Sequence, residues 1–220
     1  MPVVIAFASQ KGGVGKSTLA RALATFAVGH GLRAKLADLD LQQKTAVVWD
    51  NARAAHCMRP AVDVEPFTSA KAAIGSAKNY DLLIMDTAGK ITEDTTEVSQ
   101  YANLLVQPTS PSADDLHISV LVFLAMERVS IPRNRLAFAL CRVLSPQEEK
   151  GARAHLESFG YAVLNGAIPE ELAYRDAMKL GRSIAETGRK QLDRRVEEVM
   201  TDILRKAGAN IDRMRSRRSR

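Results

Sequence analysis

Cysteine is scarce in this chain: Cys57 and Cys141 are the only two among 220 residues. Two isolated thiols exclude a disulfide framework and a C-x-x-C metal site, and they suit a reducing compartment. No run of 18 apolar residues occurs, so no membrane-spanning helix is expected. The opening apolar run "PVVIAFAS" has no charged stretch before it, so no secretory leader is expected either. Internal repeats and long linkers are missing, and the one low-complexity segment is "RMRSRRSR". What remains is a chain 46% hydrophobic and 25% charged, long enough to bury one globular core.

Acidic residues are nearly missing from the end. From Arg205 onward the basic residues are Arg205, Lys206, Arg213, Arg215, Arg217, Arg218 and Arg220, with Asp212 the one acid. This segment accounts for the whole net charge of +6, so the body of the chain is neutral. Such a tail attracts nucleic acid or an anionic surface; a solvated end with no role is the plainer alternative.

Short apolar runs at Val3–Ser9, Ala34–Ala37, Val62–Pro66, Leu82–Asp86, Leu104–Gln107, Leu136–Leu140 and Ala162–Leu164 alternate with helical patterns. The last two helical patterns are Glu170–Glu186 and Arg189–Ala207. Alternation of this kind predicts an α/β fold, a mostly parallel twisted sheet of about 7–8 strands with helices on both faces. Residues 1–208 read as one domain and residues 209–220 as a basic tail.

The stretch "QKGGVGKST" follows the first predicted strand and opens the first predicted helix. That is the setting of a phosphate-binding loop, although the usual G-x-x-x-x-G-K-[ST] pattern has glycine where Gln10 stands. Gly12, Gly13 and Gly15 free the backbone around Val14 so that successive N–H groups form an anion nest. The positive end of the helix dipole adds to it. Lys16 is placed to reach β- and γ-phosphates, Ser17 to ligate Mg²⁺, and Thr18 to support the α-phosphate side. Asp86 ends an apolar strand, where a carboxylate can hold the water shell of Mg²⁺; a turn aspartate is the duller reading. Asp38 and Asp40 end another strand. One of them can orient an attacking water and Asp38 can assist the metal, whereas capping the next helix is the alternative.

In this order the motifs resemble the ParA/MinD family of ATPases, P-loop NTPases with a deviant Walker A. "KGGVGKST" is similar to the deviant loop, "DLDLQ" to the family's D-x-D-P-Q segment and "LIMD" to its Walker B. "QPTSPSADDL" and "IPEELAYRDAMKLGRSIAE" resemble two later family segments, so the likeness runs from about Val3 to Glu186. The resemblance implies slow hydrolysis of ATP with Mg²⁺ and an ATP-dependent homodimer. It gives Lys11 the role of a signature lysine reaching the partner subunit's ATP. Lys11, Lys16 and Asp40 would then be the catalytic residues. Leu41 stands where the family has proline, and Cys141 where many relatives have an asparagine near adenine, which removes that amide's contacts. Arg142 and Pro169 are expected to flank or stack on the base.

Within the family, the best fit is a short ParA-type partition ATPase, cytoplasmic and nucleoid-associated. As an ATP dimer it would bind non-specific DNA, released when a small centromere-binding adaptor of ParB or ribbon-helix-helix type stimulates hydrolysis. Because the loop begins near residue 11, no N-terminal helix-turn-helix domain is expected before it. Arg175, Lys179 and Arg182 fall at i, i+4 and i+7 and would share a helix face toward DNA, joined by Arg189, Arg215, Arg217 and Arg218. A MinD-like membrane anchor is disfavoured, since Ala207, Ala209, Ile211 and Met214 give the end little apolar surface. A relative that positions protein cargo over the nucleoid remains open. An iron–sulfur carrier would need a cysteine pair that is not present.

Overall fold

A computed structural model describes residues 1–89 and 93–209. Along the chain come β1 (Val3–Phe7), α1 (Lys16–Gly29), β2 (Ala34–Asp38), α2 (Thr45–Ala55), β3 (Asp63–Pro66), α3 (Ala70–Ser76), β4 (Leu82–Asp86) and α4 (Glu93–Tyr101). Then follow β5 (Leu104–Thr109), α5 (Ala113–Arg128), β6 (Leu136–Val143), α6 (Pro146–Ser158), β7 (Ala162–Val163), β8 (Ile168–Pro169), α7 (Leu172–Lys179) and α8 (Lys190–Lys206). The sheet order is β3-β2-β4-β1-β5-β6-β7, with β8 also paired to β6, and every pairing is parallel.

Parallel strands covered on both faces need apolar side chains in both directions, which is why they read as continuous apolar runs. All five residues of β4, "LLIMD", are buried. One face packs on α1, α2 and α8 through Leu19, Leu23, Trp49, Val196 and Ile203. The other packs on α3 to α6 through Val98, Phe123, Met126 and Leu156. Phe123 stacks on Phe138 with ring centroids 4.1 Å apart. Serines start three helices: Ser69, Ser112 and Ser145 accept from the backbone N–H groups of Ala72, Asp115 and Glu148. Each such cap contributes about 1 kcal/mol. Among the described residues no helix is long and apolar enough to cross a membrane.

Two segments differ from the sequence expectation. β8 was not foreseen, because a two-residue strand carries no pattern of its own. The helix predicted over Glu170–Glu186 stops at Lys179. Gly181 takes φ +70°, and a Cβ there would lie 2.4 Å from the Arg53 backbone nitrogen. The chain therefore leaves the helix and lies flat on α2. Arg53 holds it there, its buried guanidinium donating to the carbonyls of Pro60 and Gly181 and, as a fork, to Glu186 at 2.8 and 2.9 Å. Trp49 Nε1 donates to the Arg182 carbonyl at 3.0 Å.

Candidate functional site

The strand order turns at β1, which lies between β4 and β5. In open α/β sheets ligands bind outside the carboxyl ends of strands at such a turning point. The loop from Ala8 to Gly15 leaves β1 there. α1 begins without a side-chain cap and without an acid in its first turn, after Gly15 at φ 115°. Its first N–H groups are thus left to an anion in front of them.

Two lysines leave this loop in different directions. Lys16 is buried, its Nζ 3.0 Å from Ser9 Oγ and 3.3 Å from the Lys11 carbonyl. Burial lowers its pKa, while Asp86 and Asp40 pull it back up. The side chain of Lys11 is 54% exposed and pairs with the buried carboxylate of Asp115 at the start of α5. Ser110 Oγ donates to the other oxygen of Asp115 at 2.6 Å.

Register brings the acids together. Asp38 and Asp86 are direct partners across β2 and β4, and Asp86 faces Phe7 across β1. Asp86 is 1% exposed, and among the described residues neither of its oxygens has a hydrogen bond of good geometry. Burial raises its pKa to about 7, against the favourable pull of the nearby Ser17 hydroxyl, Arg21 and Lys16. A buried carboxylate with orphaned oxygens beside a serine hydroxyl is a donor set suited to a hard cation. Thr45 Oγ1 donates to Ser17 Oγ at 3.1 Å, which ties α2 to this corner.

Asp38, expected either to assist the metal or to cap the next helix, makes capping contacts. Its Oδ2 accepts from Ala46 N at 2.9 Å and Val47 N at 3.3 Å, and its Oδ1 from Asp40 N at 3.1 Å. It caps α2 and fixes the turn that carries Asp40. Asp40 is half-buried, accepts from Gln43 N at 3.0 Å, and lies close enough to Lys16 to raise its pKa.

A cleft of ≈240 Å³ continues from the loop, lined at one end by Gly13, Val14, Gly15 and Thr18. At the other end stand Arg142, Pro169, Glu170 and Arg175. Cys141 lies under the loop, its Sγ 3.5 Å from where a Gly15 Cβ would sit. Burial pushes the Cys141 thiol up to about 12, so it is a packing group. Arg142 and Pro169 both line this end of the cleft.

The proposed DNA face does not form as a single helix stripe. Arg175 lines the cleft and pairs with Glu170, Lys179 pairs with Asp176, and Arg182 lies beyond the end of α7. Arg189 directly precedes α8. Arg215, Arg217 and Arg218 lie outside the described residues. Sequence reasoning also missed Thr45, Asp115 and Glu170. Asp115 sits inside the quoted "QPTSPSADDL" segment, so its neighbourhood, though not its partner, was signalled.

The family model described as the CobQ/CobB/MinD/ParA nucleotide binding domain matches residues 5–219. A ParA protein of Rhizobium radiobacter is 27% identical over 202 residues, covering 87% of this chain and 88% of the relative. The MinD septum site-determining protein of Pyrococcus horikoshii OT3, complexed with Mg-ADP, aligns with TM-score 0.70 at 15% identity over 94% of this chain and 95% of that one. A candidate plasmid partition protein of Borrelia burgdorferi B31 bound to AMPPNP aligns with TM-score 0.73 at 17% identity, over 94% of this chain and 100% of the other.

Proposed function

The chain belongs to the CobQ/CobB/MinD/ParA nucleotide-binding family, and from that premise we propose that it is an ATP-driven dimerising switch ATPase for DNA partition. Residues 1–208 are the ATPase unit and residues 209–220 a basic arm toward DNA. Gly12 to Gly15 wrap the phosphates with backbone N–H groups while Lys16 reaches the β- and γ-oxygens and Thr18 supports the α side. Ser17 and Asp86 would hold Mg²⁺, Asp86 partly through water; when bound, the ion neutralises charge on the β- and γ-phosphates. Asp40, fixed by Asp38, accepts a hydrogen bond from the attacking water and orients it; phosphoryl transfer needs little beyond such positioning and charge stabilisation.

The observation that carries the reading is the divergence of the two lysines. Lys16 is buried in the loop, whereas Lys11 lies half-exposed at the surface, paired with Asp115. A lysine supplied from a neighbour offsets phosphate charge only when two subunits meet, so ATP would gate the dimer. The dimer then holds non-specific DNA through phosphate contacts and lets go after hydrolysis stimulated by a small centromere-binding adaptor. Partition is favoured over other positioning tasks by the ParA relative, which spans 87% of this chain. The test is light scattering and DNA retention with ATP, ADP or no nucleotide, repeated with liposomes. Wild type is expected to form a DNA-retaining dimer with ATP alone and to ignore liposomes. Lys11→Ala is expected to bind ATP yet stay monomeric; an ATP dimer of this variant would refute the trans role.

A further inference from the structure

The nucleoside end of the cleft carries an arrangement that the phosphate loop does not explain. Arg142 has φ 60°, a left-handed conformation rare outside glycine, at an irregularity in the β6–β8 pairing between Cys141 and Val143. Strained backbone of this kind persists where the surroundings over-determine it, and it collects at ligand sites. Arg142 Nε donates to Glu170 Oε2 at 2.8 Å. Arg175, from α7, pairs through Nη2 with Oε1 of the same carboxylate. Burial alone would raise the Glu170 pKa, but the two guanidiniums outweigh it and hold the carboxyl below its usual range.

Both oxygens of Glu170 are therefore engaged, each by one arginine. Both guanidiniums line the cleft, and their spare N–H groups donate and never accept; Glu171 and Tyr174 line it beside them. The floor between them and the loop is apolar: Cys141, Ile168, Met178 and Ile184. A rim with two guanidiniums beside carboxylates, above an apolar floor and joined to an anion nest, matches the base and ribose of a nucleotide. Weakly hydrated guanidinium planes stack on aromatic faces in a way that an ammonium cannot.

Resting on the nucleotide-binding reading above, we infer that Arg142 and Arg175 form a two-arginine clip on the nucleoside, with Glu170 as the residue that positions both. Arg175 then belongs to nucleotide binding and not to the DNA face. The clip acts on the nucleoside and leaves the phosphates to the loop, so a ligand without a nucleoside should not sense it.

The experiment measures Mg²⁺–ATP and Mg²⁺–tripolyphosphate binding by calorimetry, and DNA retention at saturating ATP. Arg175→Ala is expected to weaken ATP about fivefold, the scale of one lost cation–π contact. Tripolyphosphate binding and DNA retention at saturating ATP should stay at wild-type values. Glu170→Gln should give the same pattern, and Arg175→Lys should recover only part of the loss. Unchanged ATP affinity in Arg175→Ala would overturn the clip. So would equal losses for ATP and tripolyphosphate, which would mean a general charge effect. A loss confined to DNA retention would return Arg175 to the DNA face. If wild type bound neither ATP nor tripolyphosphate, the nucleotide reading itself would fall, and the clip with it.

Discussion

The two ends of the cleft are built by different means. The proposed phosphate end comes from one continuous stretch, Ser9 to Thr18, which offers backbone N–H groups and the buried Lys16. The nucleoside end is assembled from three separated segments: β6 at Cys141–Arg142, β8 with Pro169–Glu170, and the stretch from Tyr174 to Ile184. The first is local and depends on glycine conformations. The second exists only once the sheet has closed and α7 has been laid down. Damage at the first end should therefore remove affinity, whereas damage at the second should act through packing as well.

The contrast can be broken in three places. Lys16→Ala removes the buried cation of the loop. ATP and tripolyphosphate should both bind roughly a thousandfold more weakly, the upper scale for truncating a buried charge partner. Calorimetry that found ATP affinity spared would show that the nucleoside end dominates.

Gly181→Ala tests the other end. Its Cβ would lie 2.4 to 2.7 Å from backbone atoms of Ala52 and Arg53, at a φ of +70°. Because backbone cannot yield as a side chain can, the cost should be roughly 3 kcal/mol of stability. Urea unfolding would show it. At low temperature the folded fraction should still bind tripolyphosphate, and its loss would show the two ends to be one unit.

The smallest effect concerns pH. Folding carries the Asp86 carboxyl from 3.8 to about 7 through burial. An acid raised in the folded state costs stability as pH climbs between those two values, and the cost then levels off. A cation beside it removes that cost. The gain in melting temperature from Mg²⁺–ADP should thus be larger near pH 8 than near pH 5.5, by about a few degrees. Asp86→Asn should flatten the difference; if the difference persisted there, the nucleotide's own protons would be its source.

Legibility followed the same division. The loop, Lys16, Ser17 and the strand-end Asp86 could be read because a contiguous motif and a strand terminus announce themselves in sequence. The order of strands and helices was readable for the same reason. The sequence leaves Asp38 open between metal and cap, and only the structure shows its capping bonds to Ala46 and Val47. The sequence predicts too long a helix after Glu170 because Ile184 and Ala185 continue an apolar pattern, while the stop depends on a tertiary contact with Arg53. Charge spacing points Arg175 toward DNA, because its partner Glu170, just past β8, carries no periodic signal. Only the helix stop involves segments far apart in sequence; the bonds of Asp38 and Arg175 span nine residues or fewer, but no periodic pattern marks them.

One consequence lies in the pairing of Lys11 with Asp115. On the proposed trans role, this lysine is already occupied at home, so each subunit would have to vacate that contact before it associates. With a fraction f of subunits released, the apparent dimer dissociation constant rises by 1/f for each subunit, hence by 1/f² for the pair. Association then has a threshold in protein density as well as in ATP. Asp115→Asn should lower the concentration at which light scattering first detects the ATP dimer, and an unmoved threshold would show the contact to be idle. A sparse population would stay single, and a crowd gathered along DNA would close together.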